Sequence, residues 1–310
     1  MGQRPRCFKP DTIYEQTQRT VDRQFLFAPI PEMKNVIGAS CARAQQKHPV
    51  RLYWLEVNSN HEHLGIGAIS DSKEHLDNLV NFKRTYHRLL AEAINHLHGR
   101  SGAVFSTPAR TTECLDAESV EEQMFYAITN PVKDNLVERV AHWEGFSSYS
   151  QVAQGRDETY TYYDLTEYNK QKNRRNAKPL GAFLRTVRIE FSMLPHLSNR
   201  KIGAYESYIR KEVRKREQAL GIERKANNQK VIGKIRLAKT DPRSRPADPK
   251  KSGPKPICHC QCNVRRQAYK EELKAFYCDY SIASAAYRSG AYNTEFPYGS
   301  IKPPLHGITT

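Results

Sequence analysis

Strand-like and helix-like stretches alternate along the first 150 residues in an order that few folds accommodate. Runs of β-forming residues mark four strands, and apolar residues three and four positions apart mark three helices. The predicted elements are a strand over residues 12–19, a helix over 32–47, strands over 50–57 and 64–69, a helix from 71 or 72 to 97, a strand over 111–115 and a helix over 117–130. This order predicts an α+β fold whose antiparallel sheet has the ferredoxin-like (split βαβ) arrangement, with one additional helix.

The positive charge lies in the second half of the chain. Residues 1–150 carry 17 basic and 18 acidic side chains, whereas residues 151–310 carry 32 basic and 15 acidic ones. The basic residues of the second half cluster at 170–178, 210–216 and 250–255, and tyrosines precede the first two clusters. Cations that bind phosphates and rings that stack on bases suit a single-stranded nucleic acid. A solvated surface explains any single cluster equally well, but three clusters favour nucleic acid.

The candidate DNA-contacting residues are distributed over both halves. Those of the second half come from the three clusters and are Lys172, Arg174, Arg175, Arg210, Arg214, Arg216, Lys250 and Lys251. Those of the first half are Arg19, Lys83, Arg84 and Arg88. Lys83, Arg84 and Arg88 lie on the long helix predicted to end at residue 97, and a solvated helix face explains these three residues equally well.

Composition shifts divide the chain into four regions. We predict a first domain over residues 1–150, a basic and partly helical accessory region over 151–238, a linker over 239–256 and a C-terminal helical segment over 257–310. The linker holds five prolines and six basic residues, so an extended conformation is expected. There is no long apolar run, no apolar segment of the kind found in signal peptides, and an odd, scattered set of seven cysteines. These features predict a cytoplasmic protein without membrane contact.

The sharpest chemical feature is the sequence His61-Glu62-His63, at the start of the second strand of the predicted hairpin. Alternating strand residues point to opposite faces, so the two imidazoles share one face and Glu62 takes the other. Two imidazoles at this spacing can bind one divalent cation. In a chain with 11 histidines, such a pair is as often a surface or core feature as a metal site.

The third predicted helix supplies further candidates. Its buried stripe contains Val120, Met124 and Ile128, whereas Tyr126 and Asn130 lie on the opposite side, in a row that begins at Glu122. If this row faces the histidines, a phenol and an amide oxygen lie beside the metal. A half-buried surface tyrosine is an equally good interpretation of Tyr126.

The segment over residues 52–64, which ends in SNHEHL, together with FYAITNPVKDNLVE over residues 125–138, resembles the REP-associated tyrosine transposases. These are prokaryotic single-tyrosine members of the HUH endonuclease superfamily. The resemblance covers nearly all of residues 4–150, and a fainter similarity extends to the AYKEELKAF and TEFPYGS segments near the C-terminus. It implies an HUH nuclease domain in a prokaryotic, nucleoid-associated protein.

The same resemblance implies a role for each motif residue. His61, His63 and Asn130 would bind Mg²⁺ or Mn²⁺, and Tyr126 would be the nucleophile that forms a 5′-phosphotyrosine with single-stranded or hairpin DNA. Family members act on imperfect palindromes and include both monomers and dimers, so a homodimer is possible. A phenol, with a pKa of about 10, needs a nearby cation to attack near neutral pH.

Glu62 departs from the family pattern, in which the residue between the histidines is usually bulky and apolar. A buried carboxylate is costly unless it is paired. We therefore expect one of three outcomes: a Lys or Arg, for instance from the second helix, meets Glu62; the strand end is solvated; or the site has lost activity.

Two other classes of function remain open, as does one other metal site. The chain could be a catalytically inactive ferredoxin-like module that binds single-stranded nucleic acid, or a hydrolase that activates water instead of Tyr126. The cysteines of CHCQC, at Cys258, Cys260 and Cys262, could bind Zn²⁺ together with His259. Their spacing is too tight for one tetrahedral site, so free thiols are the alternative.

Overall fold

A computed structural model of the chain describes residues 5–106, 109–247 and 256–303. The strands are β1 (Ile13–Arg19), β2 (Arg51–Asn58), β3 (His61–Gly67), β4 (Arg110–Cys114), β5 (Thr159–Tyr163), β6 (Leu184–Arg188) and β7 (Cys258–His259). The helices are α1 (Pro31–Lys47), α2 (Lys73–Leu97), α3 (Ala117–Lys133), α4 (Tyr149–Gln154), α5 (Leu165–Gln171), α6 (Ile202–Ala226), α7 (Lys234–Ala238) and α8 (Asn263–Arg288). The fold is thus mixed α/β, and the first seven elements occur in the predicted order.

A five-stranded sheet with the order β2-β3-β1-β4-β7 forms the centre of the molecule. Its first four strands pair antiparallel, whereas β7 pairs parallel to β4. The sequence analysis did not predict β7, because a strand of two residues has no detectable periodicity and its partner lies far away in the chain. This short strand brings His259 to the edge of the sheet, opposite Cys114.

The two faces of the sheet are covered by different helices. Side chains alternate along β1, so Tyr14 packs into the core beneath α1 and α2, whereas Ile13 packs on the side of α3. On that side, helix α6 completes the core with Tyr205, Ile209 and Val213, which join Met124 and Ile128 in one cluster. Full burial of each such side chain contributes about 1.5–3 kcal/mol. Helix α3 is therefore held between the sheet and the basic second half of the chain.

Two boundaries near the candidate site differ from those predicted. Strand β3 begins at His61, three residues before the predicted start, so the histidines lie within the paired strand. Helix α3 continues through Pro131 to Lys133 instead of ending at Asn130. Proline lacks only its own amide donor, and the amide of Asp134 still donates to the carbonyl of Asn130. Burial of Val132, which is 1% exposed, favours the extra turn.

A separate antiparallel pair, β5 and β6, packs against α1. The aromatic ring of Tyr160 lies against Gly38, where a Cβ atom would come within 2.2 Å of the ring, so only glycine permits this approach. The side chain of Asn35 also bonds to the backbone of Thr161, at 2.8 Å in each direction. Residues 248–255 of the proposed linker lie outside the described residues, and the four-region division stays a prediction.

The three longest helices, α2, α6 and α8, bury only one side. Helix α2 is capped at its start by Ser72, whose hydroxyl accepts a hydrogen bond from the amide of His75 at 3.3 Å. Helix α6 continues without interruption from Ile202 to Ala226. Nowhere in the three described ranges does a helix combine the length and the apolar character needed to cross a bilayer.

Candidate active site on the α3 face of the sheet

Strand pairing places His61 and His63 on the face of the sheet that α3 covers. His61 lies opposite Arg19 of β1 and Asn58 of β2, and His63 lies opposite Thr17 and Glu56. Paired residues on neighbouring strands point to the same face, so polar side chains of three strands surround the two imidazoles. The predicted common face of the histidines is confirmed.

Helix α3 brings Tyr126 and Asn130 to this surface. Asp116 and Ser119 form a capping box at its start, where the Asp116 carboxylate accepts from the amide of Ser119 at 2.8 Å. Tyr126 is half-buried, whereas Asn130 is 2% exposed and thus enclosed between helix and sheet. The expected row contains these two residues but not Glu122, which is exposed and pairs with Arg216 at 3.1 Å.

The four residues come together at the surface between α3 and β3. The amide nitrogen Nδ2 of Asn130 lies 3.2 Å from Nε2 of His61. The ring centroids of His61 and His63 are 5.3 Å apart, and those of His63 and Tyr126 are 5.5 Å apart. A phenol, two imidazoles and an amide thus form one contiguous group, which is the arrangement expected if the row of Tyr126 and Asn130 faces the histidines.

Both imidazoles are oriented through their Nδ1 atoms. Nδ1 of His61 lies 2.8 Å from Oδ1 of Asn60, and Nδ1 of His63 lies 2.7 Å from Oε1 of Glu15. These oxygens accept hydrogen bonds, so each Nδ1 carries the proton and each Nε2 keeps a lone pair. This is the tautomer in which both histidines can bind a metal through Nε2.

The arrangement fits a divalent cation with open coordination positions. A half-turn of the Asn130 amide would place Oδ1 where Nδ2 now lies, beside Nε2 of His61, giving a donor set of two nitrogens and one oxygen. Burial, reinforced by the charges of His63 and Arg19, lowers the pKa of His61 well below its usual value, so the neutral ligand form prevails. Among residues 5–106, 109–247 and 256–303, no three His, Cys, Asp or Glu side chains form a metal-binding group.

Three polar residues that the sequence analysis did not select also lie at the site. Nζ of Lys133 is 4.1 Å from the centroid of the Tyr126 ring, and Glu15 bonds to His63. His259 of β7 places Nε2 4.0 Å from the other oxygen of Glu15. The sequence could have indicated Lys133, because it lies two helical turns after Tyr126 and therefore on the same side of α3. The positions of Glu15 and His259 at the site depend on strand pairing, which the sequence does not reveal.

Glu15 is ionised despite its burial. Burial alone would raise its pKa, but the hydrogen bond from His63, the electrostatic influence of His63, the hydrogen bond from the hydroxyl of Thr17 and the electrostatic influence of His259 outweigh burial and lower the pKa. The hydroxyl of Thr17 donates to Oε1 at 2.8 Å, alongside the imidazole of His63. A stable negative charge therefore lies directly behind one of the two candidate ligands.

Glu62 meets neither Lys nor Arg. It is 2% exposed on the opposite face of β3, where its carboxylate accepts a hydrogen bond from the hydroxyl of Tyr86 at 2.9 Å and binds Nε2 of His87. One of the three expected outcomes was a Lys or Arg from the second helix that meets Glu62. The partners do come from that helix, α2, but they are a phenol and an imidazole. The carboxylate is thus accommodated away from the site, and it gives no reason to expect lost activity.

The basic candidates of the first half have different surroundings. Arg19 is exposed beside His61, and Arg84 is exposed on α2, whereas Arg88 pairs with Glu92 at 2.8 Å. Lys83 is partly buried, and burial together with the charges of Arg6 and Arg84 lowers its pKa to about 7. Arg19 is the one of these that lies next to a predicted metal ligand.

The basic candidates of the second half also separate into groups. Arg210 binds the carbonyl of Ala153, and Arg216 binds Glu122 and Glu212, so both are engaged within the protein. Arg214 is exposed and lines a groove of about 890 Å³, whose charged lining residues are Glu138, Arg139, Arg214, Glu217, Arg224, Lys225 and Lys230. Lys172, Arg174 and Arg175 are exposed after α5, whereas Lys250 and Lys251 lie outside the described residues.

The CHCQC segment forms β7 and the start of α8. All seven cysteines are free thiols, and Sγ of Cys260 donates to the carbonyl of Cys262 at 3.2 Å. Cys258 and Cys260 are buried, whereas Cys262 is exposed. The segment thus contributes His259 to the surroundings of Glu15.

No protein-family model matches the sequence, and no curated protein matches it. Two solved structures are similar at low level. One is a REP-associated tyrosine transposase bound to a REP hairpin, at 13% identity and a TM-score of 0.40, covering 58% of this chain and 90% of that chain. The other is from Deinococcus radiodurans R1 and is described as a candidate transposase, at 20% identity and a TM-score of 0.29, covering 42% of this chain and 96% of that chain. Similarity at this level says nothing about the activity of this chain.

Proposed function

We propose that this protein is a metal-dependent endonuclease and strand transferase that acts on single-stranded DNA at hairpin repeats, through a covalent 5′-phosphotyrosine. The observation that carries the proposal is the convergence of Tyr126, His61, His63 and Asn130, with an Nδ2–Nε2 distance of 3.2 Å between Asn130 and His61 and a ring separation of 5.5 Å between His63 and Tyr126. The strand order β2-β3-β1-β4, antiparallel throughout, supports the ferredoxin-like arrangement expected for such a domain.

The proposed ligands are Nε2 of His61, Nε2 of His63 and Oδ1 of Asn130. A Mg²⁺ or Mn²⁺ ion held there would polarise the scissile phosphate and offset the negative charge that builds on its oxygens. Asn60 and Glu15 keep the two imidazoles in the tautomer that this role requires.

Tyr126 attacks the phosphorus atom with its phenolic oxygen. A tyrosine–phosphorus bond forms, the bond from phosphorus to the 3′-oxygen breaks, and that oxygen leaves as a 3′-hydroxyl after taking up a proton, while the phenol releases its own proton. The number of phosphoester bonds is unchanged, so a second 3′-hydroxyl can reverse the step without an external energy source. The ammonium of Lys133, above the Tyr126 ring, favours negative charge on the phenol as it attacks.

The basic second half would bind the DNA backbone around this centre. Helix α6 packs directly against α3, so its exposed cations are fixed relative to Tyr126 rather than carried on a flexible arm. Arg214, Lys225 and Lys230 line the groove along α6 and have exposed side chains. These residues suit phosphate contacts that position DNA without reading its sequence.

The experiment is an adduct assay on a denaturing gel. The protein is incubated with Mn²⁺ and a library of labelled single-stranded DNA hairpins with randomised flanks, and covalent attachment to the 5′ product end is measured. We expect an adduct that chelation prevents and that the Tyr126→Phe substitution abolishes while DNA binding is retained. Tyr163→Phe, at an exposed tyrosine of β5, is the matched control and should leave the adduct unchanged.

The alternatives give different results in the same assay. A hydrolase that activates water would release free 5′-phosphate ends and would tolerate Tyr126→Phe. A binding protein without catalysis would give no adduct with any metal and an affinity that chelation does not alter. An adduct that survives Tyr126→Phe would refute the assignment of the nucleophile.

A further inference from the structure

We infer that Glu15 is a positioning residue for His63: its carboxylate holds the imidazole in the orientation and tautomer that direct Nε2 toward the metal position. The inference rests on the proposed metal site, and it assigns a role to a residue that the sequence motif does not contain. Glu15 lies on β1, two positions from Thr17, which is the residue directly opposite His63.

The contact between the two residues is short and enclosed. Oε1 of Glu15 lies 2.7 Å from Nδ1 of His63, and the two residues are 5% and 8% exposed. In such surroundings water does not compete for the imidazole N–H, so the carboxylate determines which nitrogen carries the proton. It also fixes the rotation of the ring about its bond to Cβ.

The carboxylate is itself held in place from two sides. The hydroxyl of Thr17 donates to Oε1 at 2.8 Å, and Nε2 of His259 lies 4.0 Å from Oε2. Glu15 therefore cannot turn away from His63 without losing these interactions. Strand β7 contributes to the site by this route.

The two candidate ligands, His61 and His63, differ in the group that accepts the hydrogen bond from Nδ1. His61 bonds to the neutral amide of Asn60, whereas His63 bonds to a carboxylate. A charged acceptor polarises the imidazole more strongly and makes Nε2 a better electron donor toward a cation. We therefore expect His63 to be the more strongly donating of the two histidines.

A purely structural role would not need a charge at this position. Burying a carboxylate is costly, and an apolar side chain would fill the space between β1 and α3 at lower cost. The position follows Tyr14 in a strand whose residues from Ile13 to Gln16 are all buried, so apolar packing was available. The hydrogen bond that the carboxylate accepts from His63 explains why this position carries a charge.

The test uses two readouts on the full-length protein. The first is the tautomer of His63 in the metal-free protein, measured from the nitrogen chemical shifts and long-range proton couplings of the ¹⁵N-labelled imidazole. The second is Mn²⁺ affinity, measured by the loss of the free-ion signal in electron paramagnetic resonance.

The variants are Glu15→Gln, which keeps a hydrogen-bond acceptor without the charge, and Glu15→Leu, which removes both the acceptor and the charge. The control is Glu56→Gln, at a buried carboxyl group opposite His63 on β2 whose oxygens make no hydrogen bond to His63 within the described residues.

In the unchanged protein we expect His63 to be protonated at Nδ1 alone. Glu15→Leu should give a mixture of tautomers and weaken Mn²⁺ binding about 10- to 100-fold, Glu15→Gln should fall between, and Glu56→Gln should leave the tautomer as it was. If Glu15→Leu folds, retains the Nδ1–H tautomer and binds Mn²⁺ within two-fold of the unchanged protein, the inference is wrong. If Glu15→Leu does not fold, Glu15→Gln decides in the same way.

The two readouts separate this inference from the proposed function. A protein that binds no Mn²⁺ in any variant would contradict the proposed metal site, and with it the purpose assigned to Glu15. A protein that binds Mn²⁺ through His63 but forms no adduct would contradict the nucleophile alone and leave the role of Glu15 supported. The tautomer measurement distinguishes an oriented His63 from a free one in both cases.

Discussion

Lys133 places its ammonium nitrogen 4.1 Å from the centre of the Tyr126 ring, and both residues come from the same helix. The ring of Tyr126 therefore contacts both a cation and the imidazole of His63. The phenol releases its proton as it attacks phosphorus, so its oxygen is more negative in the transition state than in the resting state, and a fixed positive charge over the ring stabilises the transition state more.

Replacing Lys133 with Met should slow adduct formation while DNA binding changes little. The expected loss is about 10-fold in the single-turnover rate, which corresponds to about 1.4 kcal/mol of transition-state stabilisation. Lys133→Arg keeps the charge and should retain most of the rate. Equal rates for the Met variant and the unchanged protein would show that the cation does not act on the phenol.

The buried carboxylate of Glu62 supports the fold rather than the chemistry. Glu62→Leu leaves His87 and the hydroxyl of Tyr86 without their partner, and we expect it to lower the free energy of unfolding by about 3–5 kcal/mol. Replacing all three polar groups, by Glu62→Leu with Tyr86→Phe and His87→Leu, should recover most of that loss, because no buried polar group is then left unpaired.

Urea unfolding of the single and triple variants measures this difference. The milder Glu62→Gln retains an acceptor for Tyr86 and should still form the DNA adduct, since the side chain points away from the α3 face. A Glu62→Leu variant as stable as the unchanged protein would contradict the structural role. Loss of the adduct in a folded Glu62→Gln variant would contradict the separation of the two faces.

The sequence alone predicted the elements and the common face of the site because both depend on local periodicity. His61 and His63 share a face through the two-residue repeat of a strand, and Tyr126 and Asn130 share one through the helical repeat. The start of α3 at Ala117 was also predicted correctly, because capping by Asp116 is a local interaction.

What the sequence could not predict depends on contacts between distant segments. Glu15 reaches His63 only because β1 pairs with β3 in one particular register, and His259 reaches Glu15 only because β7 pairs with β4. The contacts of Arg210 with the carbonyl of Ala153 and of Arg216 with Glu122 likewise follow from the packing of α6, so charge clusters in the sequence overestimate the cations available to DNA.

The capping carboxylate of Asp116 should make the stability of α3 depend on pH. Burial would raise its pKa, but hydrogen bonds from Cys260, Ser119 and the amide of Gln261 outweigh burial and lower the pKa to about 2. Because the folded protein lowers this pKa below the unfolded value, the stabilisation is present above pH 3.8 and is lost as the pH falls toward 2.

The Asp116→Ala variant should therefore be less stable by about 1 kcal/mol at pH 7, and the difference should shrink as the pH falls below 4. Asp116→Asn keeps an acceptor for the amide of Ser119 but does not titrate, so its difference from Asp116→Ala should not change with pH. Unfolding curves in urea at several pH values measure both differences. If the free energy of unfolding of Asp116→Ala stayed below that of the unchanged protein by the same amount down to pH 2, the charge assigned to Asp116 would be wrong.

The groove along α6 predicts which cations of the second half contact DNA. Arg214, Lys225 and Lys230 are exposed there, and each phosphate neutralised on a single strand contributes about −0.7 to the slope of log affinity against log salt. Replacing all three with Gln should therefore make the slope shallower by about 2, without changing the order in which different DNA sequences bind. Arg216→Gln is the matched control on the same helix: Arg216 is paired with Glu122 and Glu212, so the slope should stay as it was.

Titrations of a fluorescent single strand at several salt concentrations provide the slopes. If the triple variant keeps the original slope while Arg216→Gln reduces it, the DNA follows a different path across the protein.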